Sequence, residues 1–340
     1  MPQSFADPAD IAACRALLCT GSRSFFAASL LLPRRVRAPA TALYAFCRVA
    51  DDEIDLGDDP QAALLSLHAR LDAAYAGTPW DTPIDRAFAA TVAAFDIPKA
   101  LPLALIEGLA WDAAGRRYEN FAALQDYAAR VAGAVGVMMA VLMGVRDAPA
   151  LARAADLGVA MQLTNIARDV GEDARAGRFF LPADWMEESG LNIPAFMREP
   201  VFSPALGSVI KRLLDEADIL YARAGAGIAC LKLDCRTGIA AARRIYGAIG
   251  GQVARAGYDS ISTRARVSGR RKLALAGLAM LDTALAAGDL HAPVLAANQF
   301  LLSAALSPAH LLQAQPKGFT ALLNLFERLE RSQRETVAQL

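Results

Sequence analysis

The chain has 340 residues, 55% of them hydrophobic and 21% charged, and its 35 Lys and Arg balance its 35 Asp and Glu. No overall field therefore draws in nucleic acid. Five cysteines without a CxxC pair, three scattered histidines and no GxGxxG or GxxxxGK[ST] leave zinc, a histidine-based triad and nucleotide binding without support.

Strand-type alternation never persists, and Ala and Leu dominate between Pro and Gly breaks, so the pattern predicts an all-α fold in a single domain. Helices are expected at 9–20, 22–32, 38–56, 60–76, 83–95, 99–114, 121–143, 149–172, 204–225 and 235–263. Further segments begin at Gly269, Ala292 and Gly318. Thr82-Pro83 and Ser203-Pro204 are helix starts with a polar N-cap and Pro in the first turn. The N-terminus carries Asp7 and Asp10 and no basic-then-apolar leader. The longest uncharged apolar run, 131–145, falls short of the ~20 residues of a membrane span. A soluble or peripheral protein of a reducing, cytoplasmic compartment is expected, with its thiols free.

Taken in order, Thr20-Gly21-Ser22-Arg23-Ser24 opens a helix and offers N–H groups, two hydroxyls and a guanidinium to an anion, or is an ordinary helix start. Residues 33–37 (Pro-Arg-Arg-Val-Arg) read as a basic connector between two helices, solvated or, as the alternative, touching anionic lipid. Next comes Tyr44-Ala45-Phe46-Cys47-Arg48-Val49-Ala50-Asp51-Asp52-Glu53-Ile54-Asp55. It places Asp51 and Asp55 one helical turn apart, Arg48 a turn before them, and Glu53 away toward solvent. The segment 107–118 ends in Arg117-Tyr118 and holds Trp111, a core residue by type. In 127–137, Gly133 and Gly136 each cost about 1 kcal/mol in a helix interior, so a helix or a ligand must approach that backbone closely.

The stretch 162–173 carries the most information. At roughly 100° per residue, Gln162, Asn165, Asp169 and Asp173 share about 80° of arc, with Leu163, Ile166 and Val170 on the packing flank and Arg168 turned elsewhere. Such a row needs a countercharge. Set opposite Asp51 and Asp55, it can hold Mg²⁺ or Mn²⁺, which use one or two carboxylates each and complete their shells with phosphate. Solvated acidic helix ends are the alternative. A loop 175–182 follows, with Arg178, Phe179 and Phe180. Tyr246 precedes a basic run from Arg264 through Arg266 to Lys272, which lacks the aromatic interleaving or recognition helix of a nucleic-acid site. The tail beyond Gly318 has amphipathic helical spacing.

The residues 44–55, and 162–173 followed by Gly177-Arg178-Phe179-Phe180-Leu181-Pro182, resemble the two aspartate-rich motifs of the squalene/phytoene synthase family, nearest to its bacterial phytoene synthases. The likeness runs from about Ser22 to Lys272. It implies an isoprenoid-synthase-type helical bundle around an apolar cavity. It assigns Asp51, Asp55, Asn165, Asp169 and Asp173 to Mg²⁺ or Mn²⁺, and Ser22, Ser24, Arg48, Gln162, Asn165, Arg178, Tyr246, Arg264 and Arg266 to substrate diphosphate, with Arg23 a weaker candidate. Tyr127 joins Arg48 and the four aspartates as catalytic, and Tyr44, Val131, Gly133, Val135 and Gly136 line the cavity. Ala129 stands where relatives often carry a second aromatic. The segment 107–118 resembles a family segment ending in an Arg-Tyr pair, which implies Asp112 and Arg117 as candidates for a site rim.

The implied reaction joins two geranylgeranyl diphosphates head to head, without NADPH. The alternatives are a C30 squalene or dehydrosqualene synthase using farnesyl diphosphate, and a non-catalytic scaffold of the same fold. Elongating prenyltransferases and terpene cyclases fit the two motifs less well. Prenyl diphosphate, the inner membrane surface and downstream carotenoid enzymes are the implied partners.

Overall fold

The longest helix, Ala148–Arg175 (α9), forms the axis around which the others pack. Asp147 caps it by accepting from the Ala150 N–H, and Pro149 sits in the first turn, where its missing N–H costs nothing. This is a computed structural model, and it describes residues 5–57, 59–282 and 288–307. The fold set out below is that of the unit Met1–Leu306; the expected segment from Gly318 lies outside the described residues.

The other helices are Pro8–Gly21 (α1), Arg23–Ser29 (α2), Arg34–Leu56 (α3), Pro60–Tyr75 (α4), Pro83–Phe95 (α5), Ala100–Ala113 (α6), Phe121–Ala128 (α7) and Ala134–Leu142 (α8). After α9 come Ala183–Glu188 (α10), Ile193–Arg198 (α11), Pro204–Ile228 (α12), Leu233–Arg255 (α13), Gly269–Asp282 (α14) and Gln299–Leu306 (α15). No strand occurs among the described residues. Around α9 stand α7, α8, α12, α13 and α15; α3 packs on α1, α4, α5, α6 and α8.

Four expectations change. The supposed connector 33–37 is largely the first turn of α3. Arg37 donates to the Ser29 and Leu32 carbonyls that end α2, and Arg35 pairs with Asp234 at 2.6 Å. The helix predicted over 121–143 is broken by a π turn at Ala129–Gly133, a distortion that often marks a functional site. The helix predicted to reach 263 stops at Arg255, because Gly257 (φ 67°) and Tyr258 (φ 62°) are both left-handed and turn the chain back toward α9. Short helices α10 and α11 fill a region left unassigned.

The two glycines expected to admit a neighbour do so differently. A Cβ on Gly136 would lie 2.3 Å from the Ala154 carbonyl oxygen, and one on Gly158 would lie 2.1 Å from that of Ala132. The π turn and α8 thus cross α9 backbone to backbone. Gly133 faces Asn298, Leu301 and Val159, so it serves packing and does not line the cavity expected of it.

Candidate active site

The two acidic helices face each other across a cavity of about 830 Å³. From α3 it receives Tyr44, Arg48, Asp51 and Asp55; from α9, Gln162, Asn165, Arg168, Asp169 and Asp173. Arg178 closes the gap between the rows, donating to Asp55 Oδ2 at 3.0 Å and to Asp173 Oδ1 at 3.2 Å. Its Nε is buried without an acceptor, a donor left for an anion. From the loop after α13, Arg264 makes a two-pronged contact with Asp169 at 2.8 and 3.0 Å. Ser24, Tyr246, Arg266 and Lys272 also line this space. Ser22 does too, but its hydroxyl already caps α2 by accepting from the Phe25 N–H. The Arg23 side chain lies outside the described residues.

Three side chains depart from expectation. Arg168 does not turn elsewhere: its guanidinium folds back onto Asp169 and lines the cavity. Glu53 is not a free surface carboxylate; it pairs with Arg70, which is buried and bonded to the buried Asp85 at 3.0 Å. That chain ties α3 to α4 and α5 and fixes the rotation of the helix that presents Asp51 and Asp55. Arg117 is exposed and away from the cavity, whereas Asp112 lines it. Arg48 is engaged within its own helix, with Asp52 and, at 3.4 Å, Asp51.

Burial and the nearby Asp55 push Asp51 up to about 6. Burial, against the opposing pull of Arg178, likewise brings Asp173 to about 6. Burial would raise Asp169 too, but hydrogen bonds from Arg168 and Arg264 outweigh it and hold the group below the usual carboxylate range. Asp112 is pushed up to about 8 by burial, even though it accepts a 2.7 Å hydrogen bond from the Tyr127 hydroxyl. Tyr127 stacks on Phe180 at 5.4 Å and meets Tyr118 at a tilt at 5.2 Å, an aromatic wall beside the acids. Phe179 instead packs inside against Phe196.

Below the acidic compartment lies an apolar one of about 270 Å³. Tyr44, Gln162, Asn165 and Tyr246 line both. Val131, Val135 and Gly136 wall the apolar part. Phe25 stacks on Tyr44 at 5.4 Å near the junction.

The oxygen-only donor set suits a hard divalent cation. Among the described residues, however, no three acidic, His or Cys side chains stand close enough to hold an ion by themselves. The residues therefore fit cations whose shells are completed by another anion, with one or two carboxylates apiece.

Sequence reasoning missed the strap that carries Arg264. The Gly171 N–H donates to the Ser260 carbonyl at 3.1 Å, and the Ser260 hydroxyl donates to the Ala167 carbonyl at 2.6 Å. Arg175 donates to the Ile261 carbonyl at 2.7 Å. A Cβ on Gly171 would meet the Ile261 Cα and the Ser260 oxygen at 2.8 Å. Gly171→Ala is thus expected to lift the loop, cost about 1–3 kcal/mol of stability by overpacking, and loosen Arg264 from Asp169. A denaturant midpoint together with substrate KM checks both effects, and an unchanged KM would separate the strap from the site.

Facing acidic helices above a greasy tunnel in an all-α bundle define the isoprenoid-synthase class of fold. The squalene/phytoene synthase family model matches residues 18–271. The phytoene synthase of Cereibacter sphaeroides is 51% identical over 348 aligned positions, covering 97% of this chain and 96% of that protein. The one from Rhodobacter capsulatus is 57% identical over 280 positions, covering 81% and 83%. A solved dehydrosqualene synthase in complex with ligand superposes with a TM-score of 0.73 at 32% identity, covering 80% of this chain and 95% of that one. The chain belongs to the squalene/phytoene synthase family and is an enzyme of the prenyltransferase type.

Proposed function

We propose that the protein joins two geranylgeranyl diphosphates head to head, through a cyclopropylcarbinyl diphosphate, to give phytoene and two diphosphates, one proton leaving carbon in each of the two half-reactions. The observation that carries this reading is the junction at Tyr44, Gln162, Asn165 and Tyr246, where an acidic, arginine-rich compartment opens directly into an apolar one. A diphosphate belongs in the first and its isoprenoid tail in the second. The identity to two phytoene synthases selects the C20 substrate over the C15 alternative.

Asp51 and Asp55 on α3, with Asn165, Asp169 and Asp173 on α9, would hold Mg²⁺ or Mn²⁺. Bound there, the cations neutralise diphosphate charge so that the allylic C–O bond can ionise. Arg178 and Arg264 are positioned to exchange their carboxylate contacts for diphosphate oxygens, with Arg48, Arg266, Ser22 and Ser24 at the same compartment's wall. The dry aliphatic walls at Val131, Val135 and Gly136 keep water from the allylic cation, and the faces of Tyr44, Tyr127 and Phe180 stabilise it without capturing it. Ending in proton loss, the reaction needs no NADPH.

Asp51 and Asp173 titrate near 6 because burial favours their neutral forms. Their raised values mean that the stability they contribute is present at low pH and lost as pH rises through about 6, where bound cation replaces it. Mg²⁺ with diphosphate should therefore raise the melting temperature clearly at pH 7.5 and little at pH 5. An equal shift at both values would count against these ligands.

No described helix is long and apolar enough to cross a membrane. Exposed Leu273 and Leu278 on α14, beside Arg270 and Arg271, support a cytoplasmic enzyme resting on the inner membrane surface, where its substrate and the next carotenoid enzyme would meet it. The deciding assay is pure protein with Mg²⁺ and geranylgeranyl or farnesyl diphosphate, with and without NADPH, read by product mass. An NADPH-independent C40 hydrocarbon bears the reading out. A C30 product from farnesyl diphosphate alone moves the enzyme to the squalene side. No hydrocarbon under any condition leaves the scaffold.

A further inference from the structure

The apolar compartment runs down α9 from Asn165 to Ala150. At 1.5 Å per residue that is about 22 Å. Beyond the polar junction its walls are mainly aliphatic, and toward the far end a charged side chain, Arg153, is among the lining residues. Arg153 is fully buried, and such a charge persists only when paired and hydrogen-bonded. Its Nε lies 3.0 Å from Asp156, also fully buried. Its Nη1 donates to the carbonyls of Asp289, Leu290 and Ala292 at 3.3, 3.4 and 3.0 Å. Asp156 is held further by Arg223 at 2.9 Å and Asn298 at 3.1 Å. On the packed neighbour α12, a Cβ on Gly227 would sit 2.4 Å from the Cβ of Arg153, so α12 gives up a side chain where the arginine stem passes. None of this serves the acidic compartment.

We propose that Arg153 is the floor that sets the length of prenyl chain the enzyme accepts, an inference that rests on the prenyl-diphosphate reading above. Its stem closes the compartment, and the Asp156–Arg223–Asn298 network with three backbone carbonyls locks it in one rotamer. An apolar Leu or Met floor can change rotamer to admit one more isoprene unit. A guanidinium with Nη1 on three backbone carbonyls and Nε in ion-pair contact with Asp156 cannot move without giving up those contacts in a desolvated space, so the limit is sharp. The terminal isoprene unit of the tail lying along α9 stops against that stem.

Two variants test this. Arg153→Met keeps most of the volume, frees the floor, and leaves Asp156 its contacts with Arg223 and Asn298. Ala150→Leu, also at the far end, raises the floor without touching the charge. Binding of the unreactive C15, C20 and C25 prenyl thiolodiphosphates in Mg²⁺ is measured by calorimetry beside kcat/KM, after circular dichroism shows both variants folded. Ala150→Leu should shift preference from C20 toward C15 on the order of tenfold, the scale of small hydrophobic pocket changes. Arg153→Met should relax rejection of C25 by a similar factor. A merely structural role for Arg153 would lower stability and leave the length ratios alone. Wild-type length ratios in folded Arg153→Met overturn the proposal, whatever Ala150→Leu does. Wild-type protein that binds C20 and rejects C25 yet forms no hydrocarbon would overturn the catalytic reading and leave the floor standing.

Discussion

Asp169→Ala is expected to lower kcat with geranylgeranyl diphosphate on the order of 10³-fold, the upper range for losing one preorganised electrostatic group. Asp169 is held below the usual carboxylate range because Arg168 and Arg264 both donate to it. The substitution removes a proposed cation ligand and simultaneously takes from Arg168 and Arg264 the carboxylate they share. α9 should survive, since Leu163, Ile166 and Val170 on its opposite flank are buried and untouched. Far-ultraviolet circular dichroism should match wild type while turnover disappears. Asp51→Ala on α3 examines the facing row in the same way, and full activity in either variant would refute the shared cation site.

Arg178→Met should cost on the order of 10²-fold in kcat/KM. This side chain spans from Asp55 to Asp173, two residues on opposite helices, and is the direct link seen between the acidic rows. Without it, Asp51, Asp55 and Asp173 lose a countercharge while remaining in a partly desolvated space. The raised titration of Asp173 should then climb further, because the attraction that opposes its burial is gone. The acidic limb of the kcat/KM profile should move to higher pH, a shift that simple loss of packing would not produce. A variant with an unmoved acidic limb would show that Arg178 is only a loop tether.

Much of the site was readable because its parts are local. Gln162, Asn165, Asp169 and Asp173 repeat at helical spacing, as do Asp51 and Asp55, so each row is legible from periodicity alone. Resemblance then paired the rows. What failed were predictions about where long side chains go. Arg168 belongs by angle to another face, but its flexible stem lets the guanidinium return to the neighbouring Asp169. Glu53 points away from the cavity as expected, yet that direction leads to buried Arg70 and not to water. Neither outcome is encoded within a turn of sequence.

Helix ends followed the same division. Ser203 and Thr82 are caps whose side-chain oxygens meet their own helix N–H groups, a local bond that the sequence declares. The stop at Arg255 depends on Gly257 and Tyr258 turning left-handed so that Ser260 can reach the carbonyl of Ala167, 93 residues earlier. The π turn at 129–133 sits where Gly158 of α9 lets the Ala132 carbonyl approach.

By itself, the sequence determined that this protein is all-helical, that two of its helices bear acidic rows, and that its chemistry belongs with the diphosphate-handling family it resembles. Periodicity, capping and motif spacing act over a few residues, so one-dimensional reading suffices for them. Only the tertiary structure decided that Arg178 bridges the rows, that Asp112 meets Tyr127, that Gly171 receives the Ser260 strap, and that buried Arg153 lines the apolar cavity. Each of those joins groups from different elements in a desolvated space, where the energy of a charge or hydrogen bond depends on neighbours that the chain supplies from far away.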